Sequence, residues 1–139
     1  MALLLLAGVA ACGSSTHAVP RSAETTGSQS GSAISNTPPP YIAKAVWVTL
    51  SSGRSLQVYP TSSGRVATAD GAEQEAWHEV LRAAPDAATP GMRAQFDCHW
   101  AFARLAEPNK PSWNLEPWRP VVSAQRMYDT RCNPGGPEV

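Results

Sequence analysis

The chain divides by where its large apolar residues fall. Leu3 to Leu6, with Ala7, Gly8 and Val9, make a short apolar run at the front. Residues 13–40 then carry Ser, Thr, Gly, Ala and Pro and almost no large apolar side chain. All 5 Trp, 2 Phe and 3 Tyr lie after residue 40. A segment such as 13–40 cannot bury enough surface to offset its ordering entropy. It reads as a flexible tether ending in the locally stiff Pro38-Pro39-Pro40, with a reach on the order of 30 Å as a coil. The break at Tyr41 opens a single small globular domain, residues 41–139, just large enough for one core.

Within that domain the apolar spacing predicts the elements. Ala45 to Leu50 is β-branched and aromatic with period two, placing Val46, Val48 and Leu50 on one face. Ser51-Ser52-Gly53-Arg54 is a turn, and Ser55 to Tyr59 returns with Leu56 and Val58 facing together. Pro60 ends this hairpin, Ser62-Ser63-Gly64 turns again, and Arg65 to Thr68 reads as a third short strand. Asp70 and Glu73 have capping-box spacing and open a helix to about Ala84. Trp77, Leu81 and Ala84 share its face, with Val80 adjacent. Thr89-Pro90 starts a second helix carrying Met92, Phe96, Trp100 and Ala103, while Cys98 points elsewhere. A strand is the alternative there, because Gln95 to Phe102 alternates imperfectly. Residues 107–120 contain Pro108, Pro111, Pro117 and Pro120, which exclude a long helix and a central strand. They predict an irregular loop whose Trp113, Leu115 and Trp118 pack back on the core. Pro120 opens a last helix to about Arg131, with Val121, Ala124, Tyr128 and Cys132 in line. The expected fold is α+β, a small single domain with an N-terminal β-hairpin and two to three helices.

The front run bears on location. A membrane span needs about 20 apolar residues and this run is far shorter, whereas a signal h-region needs about 7–15. Val9-Ala10-Ala11-Cys12 resembles the lipobox of bacterial lipoproteins. The expected processing is a signal peptide over 1–11 and a lipidated Cys12 (palmitate among its acyl chains) heading the tether 12–40. The protein would then sit on the extracytoplasmic face of the cell membrane, with the membrane itself a partner through that lipid. No Lys or Arg precedes the run, so the positive n-region is the terminal amine alone or lies upstream of Met1. The alternative is an ordinary secretory signal cleaved near Ala11, giving a secreted protein. An exported domain with two further cysteines, Cys98 and Cys132, most simply makes one disulfide. That loop closure contributes roughly 3–4 kcal/mol in the chain-entropy model.

Charge narrows the partners. The 11 basic and 11 acidic residues balance and are interspersed, without the stripe that nucleic acid needs or a polybasic membrane patch. No HxxxH, CxxC or clustered carboxylate pattern with metal spacing is present, and no phosphate-cradling glycine loop or nucleophile elbow, so no metal or cofactor is expected. Cys98-His99 invites a thiol-nucleophile reading, which a disulfide would end; His99 alone could act as a general base or a metal ligand, or pack as a hydrogen-bonded histidine. His78 is expected to face solvent. The most unusual string is Trp113-Asn114-Leu115-Glu116-Pro117-Trp118-Arg119-Pro120. Trp113, Asn114, Glu116, Trp118 and Arg119, with His99, are the candidate binding residues. Aromatic faces beside an amide, a carboxylate and a guanidinium could stack a sugar or grip an acidic peptide. Equally, Trp113 and Trp118 could plug the core while Glu116 pairs with Arg119 to hold the loop.

Thr89-Pro90-Gly91-Met92, Gln95-Phe96-x-Cys98-His99, the Trp113–Pro120 string and Cys132-Asn133-Pro134-Gly135-Gly136 together resemble an uncharacterised family of actinobacterial secreted and lipid-anchored proteins (domain of unknown function 2599). The resemblance covers roughly residues 45–136. It implies an exported actinobacterial protein with Cys98 paired to Cys132, and it supplies no activity. Three function classes follow. The first is a binding or accessory module of the cell envelope, contacting cell-wall glycan or an envelope protein through Trp113 to Arg119. The second is a small extracytoplasmic hydrolase using His99, Glu116 and Arg119 converged on one concave site. The third is a structural or immunity-type protein, with no pocket and both loop tryptophans buried.

Overall fold

A computed structural model of the chain describes residues 37–136. The apolar front run, Cys12 and most of the tether lie outside the described residues. Strands β1 (Ile42–Leu50) and β2 (Gly53–Pro60) pair antiparallel, with Leu50 opposite Gly53 across the tight turn. Gly53 has φ +128°, and a Cβ there would stand 2.9 Å from Cδ1 of Trp118, so backbone geometry and the loop tryptophan both demand glycine.

The third strand lies elsewhere than the spacing predicts. Arg65 to Thr68 forms no strand. Residues Ser62–Val66 are a short helix, α1, capped by Thr61, whose hydroxyl accepts from the Gly64 amide at 3.0 Å. The sheet is completed instead by β3 (Trp113–Leu115), inside the proline-rich segment, with Leu115 opposite Leu56 and Trp113 opposite Val58. The strand order β1-β2-β3 makes β3 an edge. The prolines permit this because they flank the ladder rather than interrupt it.

Opposed residues in antiparallel strands share a face. Ala45 stands opposite Val58 and Trp47 opposite Leu56, so Ala45 and Trp47 pack on the core while Val46 is exposed. The face of Val46, Val48 and Leu50 is therefore the outer one.

Helix α2 (Ala72–Ala83) buries Ala72, Ala76, Trp77 and Val80. Its N-cap is Gly71 in the left-handed region with no side-chain cap, so Asp70 does not close a capping box. Glu73 and Glu75 in the first turn favour the helix dipole instead. The α2 carboxylate of Glu79 is buried and accepts from the amides of Tyr41 (2.8 Å) and Ile42 (2.6 Å), pinning the first strand where the domain begins.

Helix α3 (Pro90–Cys98) starts at Thr89, as expected, with the hydroxyl accepting from the Met92 amide. It continues through a wide π turn (His99–Ala103) and a last turn (Arg104–Ala106), so this segment is helix, not strand. The last helix, α4 (Ala124–Asp129), is capped by Ser123 and begins later than Pro120 predicts. Residues 120–123 lie outside the helix, which shifts its phase: Met127 is buried, while Val121 and Tyr128 are exposed. The described domain thus has four helices, two of them short.

Two apolar clusters hold the layers together. In the larger one, Phe96 meets Trp77, Trp100 and Trp113 with ring centroids 5.2, 6.0 and 6.1 Å away. In the smaller one, Cys98, Ala103, Met127 and Cys132 surround the Cys98–Cys132 disulfide, which ties α3 to the turn after α4. No described helix is long and apolar enough to cross a membrane.

Candidate functional site

The Trp113–Pro120 string is built inward. Arg119 donates from Nε to Glu116 Oε2 at 2.6 Å, and both side chains are fully shielded from solvent. Ser55 on β2 donates its hydroxyl to Glu116 Oε1 at 2.7 Å. Gln95 on α3 grips the Glu116 backbone on both sides, donating to its carbonyl and accepting from its amide, each at 2.9 Å. The other end of the guanidinium reaches the C-terminal turn. Arg119 Nη1 donates to the carbonyls of Pro134 (3.0 Å) and Gly136 (2.7 Å), and Nη2 donates to Asn133 Oδ1 (3.3 Å). A buried ion pair is neutralised only when its remaining donors and acceptors are also met. Here the Ser55 donor, the Gln95 amide and the C-terminal acceptors tie three distant segments to one point.

His99 sits at the start of the π turn, fully buried, its ring parallel to Trp113 at 6.3 Å between centroids. Its Nε2 lies 3.2 Å from the Asn114 carbonyl. A carbonyl only accepts, so Nε2 carries the proton and Nδ1 is the bare nitrogen of a neutral imidazole, buried without a partner. Burial first, then the charge of Lys110 and more weakly that of Arg119, push its pKa down to about 4 against the pull of the Asn114 carbonyl. Cys98 is consumed in the disulfide, which ends its reading as a nucleophile.

The side chains singled out from the sequence therefore separate. Trp113, Glu116, Arg119 and His99 are buried, Asn114 is half-buried, and Trp118 exposes 38 % of its surface. Trp118 lies over the Gly53 turn with the Arg119 guanidinium 4.6 Å from its ring. His99, Glu116 and Arg119 present no open face to a substrate.

What the buried pair supports is a groove of about 750 Å³, lined by Lys110, Asn114, Arg126, Thr130, Asn133 and the pair Gly135-Gly136. One wall is the 107–115 segment. Its backbone is fixed by Arg65, which donates to the carbonyls of Pro108 and Lys110 at 2.8 Å each. The other wall is α4 and the turn after it, fixed by the disulfide and by Arg119. Of the candidate residues only Asn114 lines the groove. Lys110, Arg126, Thr130 and Asn133 carry no local signal, and the Asn133–Gly136 run reads simply as a chain terminator. Among the described residues no group of three or more His, Cys, Asp or Glu is placed to hold a metal ion.

A small α+β domain stapled by one disulfide, with a polar groove resting on a buried ion pair, is the class that fold and site define. Residues 42–135 match the family described as "Protein of unknown function (DUF2599)", and the chain belongs to that family. An uncharacterized protein of Mycobacterium tuberculosis is 53% identical over 95 residues, covering 66% of this chain and 64% of the relative. An uncharacterized protein of Mycobacterium leprae is 41% identical over 99 residues, covering 69% and 80%. The chain thus spans just under two thirds of the length of the Mycobacterium tuberculosis relative. No solved structure matches.

Proposed function

We propose that this protein is a binding module of the actinobacterial cell envelope, lipid-anchored through Cys12 outside the membrane and carried toward the wall on the tether 12–40. The observation that carries this reading is a contrast within the domain. The reactive side chains are spent inside the fold, Cys98 in a disulfide and Glu116 and Arg119 on each other. The polar depression beside them is lined by cations, amides and a hydroxyl, which hold ligands rather than transform them. A buried structural disulfide is at home in an oxidising compartment, which supports export. In this reading the Trp113–Pro120 string serves binding indirectly, contributing Asn114 to the groove and holding its walls in place.

Two measurements test the proposal. Expressed in an actinobacterial host, the wild-type chain should partition into the detergent phase of Triton X-114, and Cys12→Ala should move to the aqueous phase. The Cys12→Ser chain should co-sediment with purified insoluble cell wall. Retention of Cys12→Ala in detergent would refute the anchor, and a chain that stays in the supernatant would refute wall binding.

A further inference from the structure

The groove carries a chemical signature more specific than polarity. Most described cations already have a partner. Arg54, Arg82, Arg93 and Arg119 each pair with a carboxylate. Arg65 and Arg104 are spent on backbone carbonyls, and Lys44 lies over the Tyr59 ring. Lys110, Arg126 and Arg131 form no ion pair among the described residues, and the first two line the groove. Among the described residues no Asp or Glu lines it. In a chain whose charges balance overall, two unneutralised cations facing one depression make a local field that favours an anion.

The neighbours agree. Asn133 Oδ1 accepts from the Arg119 guanidinium and its Nδ2 donates one hydrogen to the Arg131 carbonyl at 2.8 Å, which leaves one Nδ2 hydrogen as its remaining donor. Asn114 Oδ1 accepts from the Ser112 hydroxyl, which fixes its Nδ2 as the donor end. Both groove amides therefore have their acceptor oxygens engaged by protein donors. His99 behind Asn114 reports the same field, since Lys110 and Arg119 both oppose its protonation. The volume suits a sugar-sized ligand, for which sites run about 300–1,000 Å³. The amides, hydroxyl and cations of its lining suit a hydroxyl-bearing one.

We propose that the groove binds an anionic oxygen group, carboxylate or phosphate, on a hydroxylated scaffold such as an acidic wall glycan, with Lys110 and Arg126 clamping the anion from opposite walls. Arg126 offers a planar fork that matches either oxyanion bidentately, and Lys110 offers a point charge. This rests on the binding reading above and names its ligand class. Because the backbone of both walls is fixed in advance, the ordering left to do on binding is that of the two cationic side chains.

The test is an amide-resolved NMR titration of the full chain carrying Cys12→Ser. The probes are N-acetylmuramic acid (a sugar carboxylate), glycerol 3-phosphate (a phosphate) and N-acetylglucosamine (a neutral sugar). One or both acids should shift the amides of Asn114, Asn133, Gly135 and Gly136 saturably, and the neutral sugar should not at the same concentrations. Whichever acid binds more tightly identifies the source of the anion. Lys110→Gln with Arg126→Gln should weaken binding ten-fold or more while the rest of the spectrum stays unchanged, since neither side chain holds the fold by an ion pair. Equal shifts from N-acetylglucosamine would overturn the anion assignment and leave a sugar site. Failure of all three probes with wall sedimentation intact would overturn this assignment and leave binding elsewhere on the domain. Failure of both would bring down the binding reading as well.

Discussion

Replacing Arg119 by Met tests whether the buried pair holds the domain together. The substitution keeps the aliphatic stem and removes the guanidinium. Glu116 then remains shielded from solvent without the guanidinium that sat 2.6 Å away, and the neutral Ser55 hydroxyl at 2.7 Å does not replace that charge. Breaking a buried pair from one side costs about 3–5 kcal/mol. Net stability for a domain of this size is about 5–15 kcal/mol. At about 4–8 °C per kcal/mol, the melting temperature should drop on the order of 20 °C. Glu116→Gln should cost less. Arg119 keeps acceptors at Pro134, Gly136 and Asn133, and an amide oxygen can still accept from Ser55. The double variant should be more stable than the sum of the singles by about 1–3 kcal/mol, because the stranded charge is gone. Urea unfolding of the four proteins gives the cycle. An Arg119→Met cost below about 1 kcal/mol, or strictly additive singles, would refute the assignment.

Other consequences are equally open to measurement. Gly64→Ala should destabilise by about 2 kcal/mol or more, because the new Cβ would fall 2.2 Å from the Tyr41 carbonyl oxygen and force the backbone apart; a neutral effect in thermal melts would contradict that contact. Reducing the Cys98–Cys132 bridge, which closes a separation of 34 residues, should lower stability by roughly 3–4 kcal/mol and loosen the groove wall after α4, seen as faster amide exchange at Asn133 and Gly136. His99 is held neutral in the folded state, so its contribution is complete above about pH 6.5 and falls away as pH drops toward 4, by about 3 kcal/mol in all. Asp97 works the other way: partial burial and the neighbouring Glu73 carboxylate raise it to about 6 against the pull of Arg93, so its contribution is lost as pH rises from 4 to 6. In an Asp97→Asn background the acid loss should therefore steepen, and adding His99→Gln should flatten it. An acid limb that Asp97→Asn does not steepen, or that the added His99→Gln does not then flatten, would place the titration elsewhere.

Local pattern carried much of this fold and little of its site. The hairpin, the face of α2 and the Thr89 cap are each set by neighbouring residues and each was legible, and the disulfide was legible because only Cys98 and Cys132 follow Cys12. β3 was not, because three residues between prolines have no strand signal of their own and gain one only by pairing with Leu56 and Val58. α1 was hidden for a similar reason: Ser62-Ser63-Gly64 reads as a turn until Thr61 caps it and Gly64 packs on Tyr41. On β1 both faces are apolar, so only the register with β2 decides that Trp47 is inside and Val46 outside. The Glu116–Arg119 pair was visible as one of two readings of its loop. The groove was not, since Lys110, Arg126 and Asn133 meet only after the chain has folded.

The account stands most directly on the affinity of the groove for wall material. Isothermal titration of the full Cys12→Ser chain with muramidase-solubilised cell-wall fragments, repeated with Lys110→Ala and Arg126→Ala combined, measures it. Loss of both clamping cations should weaken binding at least ten-fold at constant ionic strength, and added salt should weaken the wild type toward the variant. Equal affinity of the two proteins, independent of salt, would contradict the account.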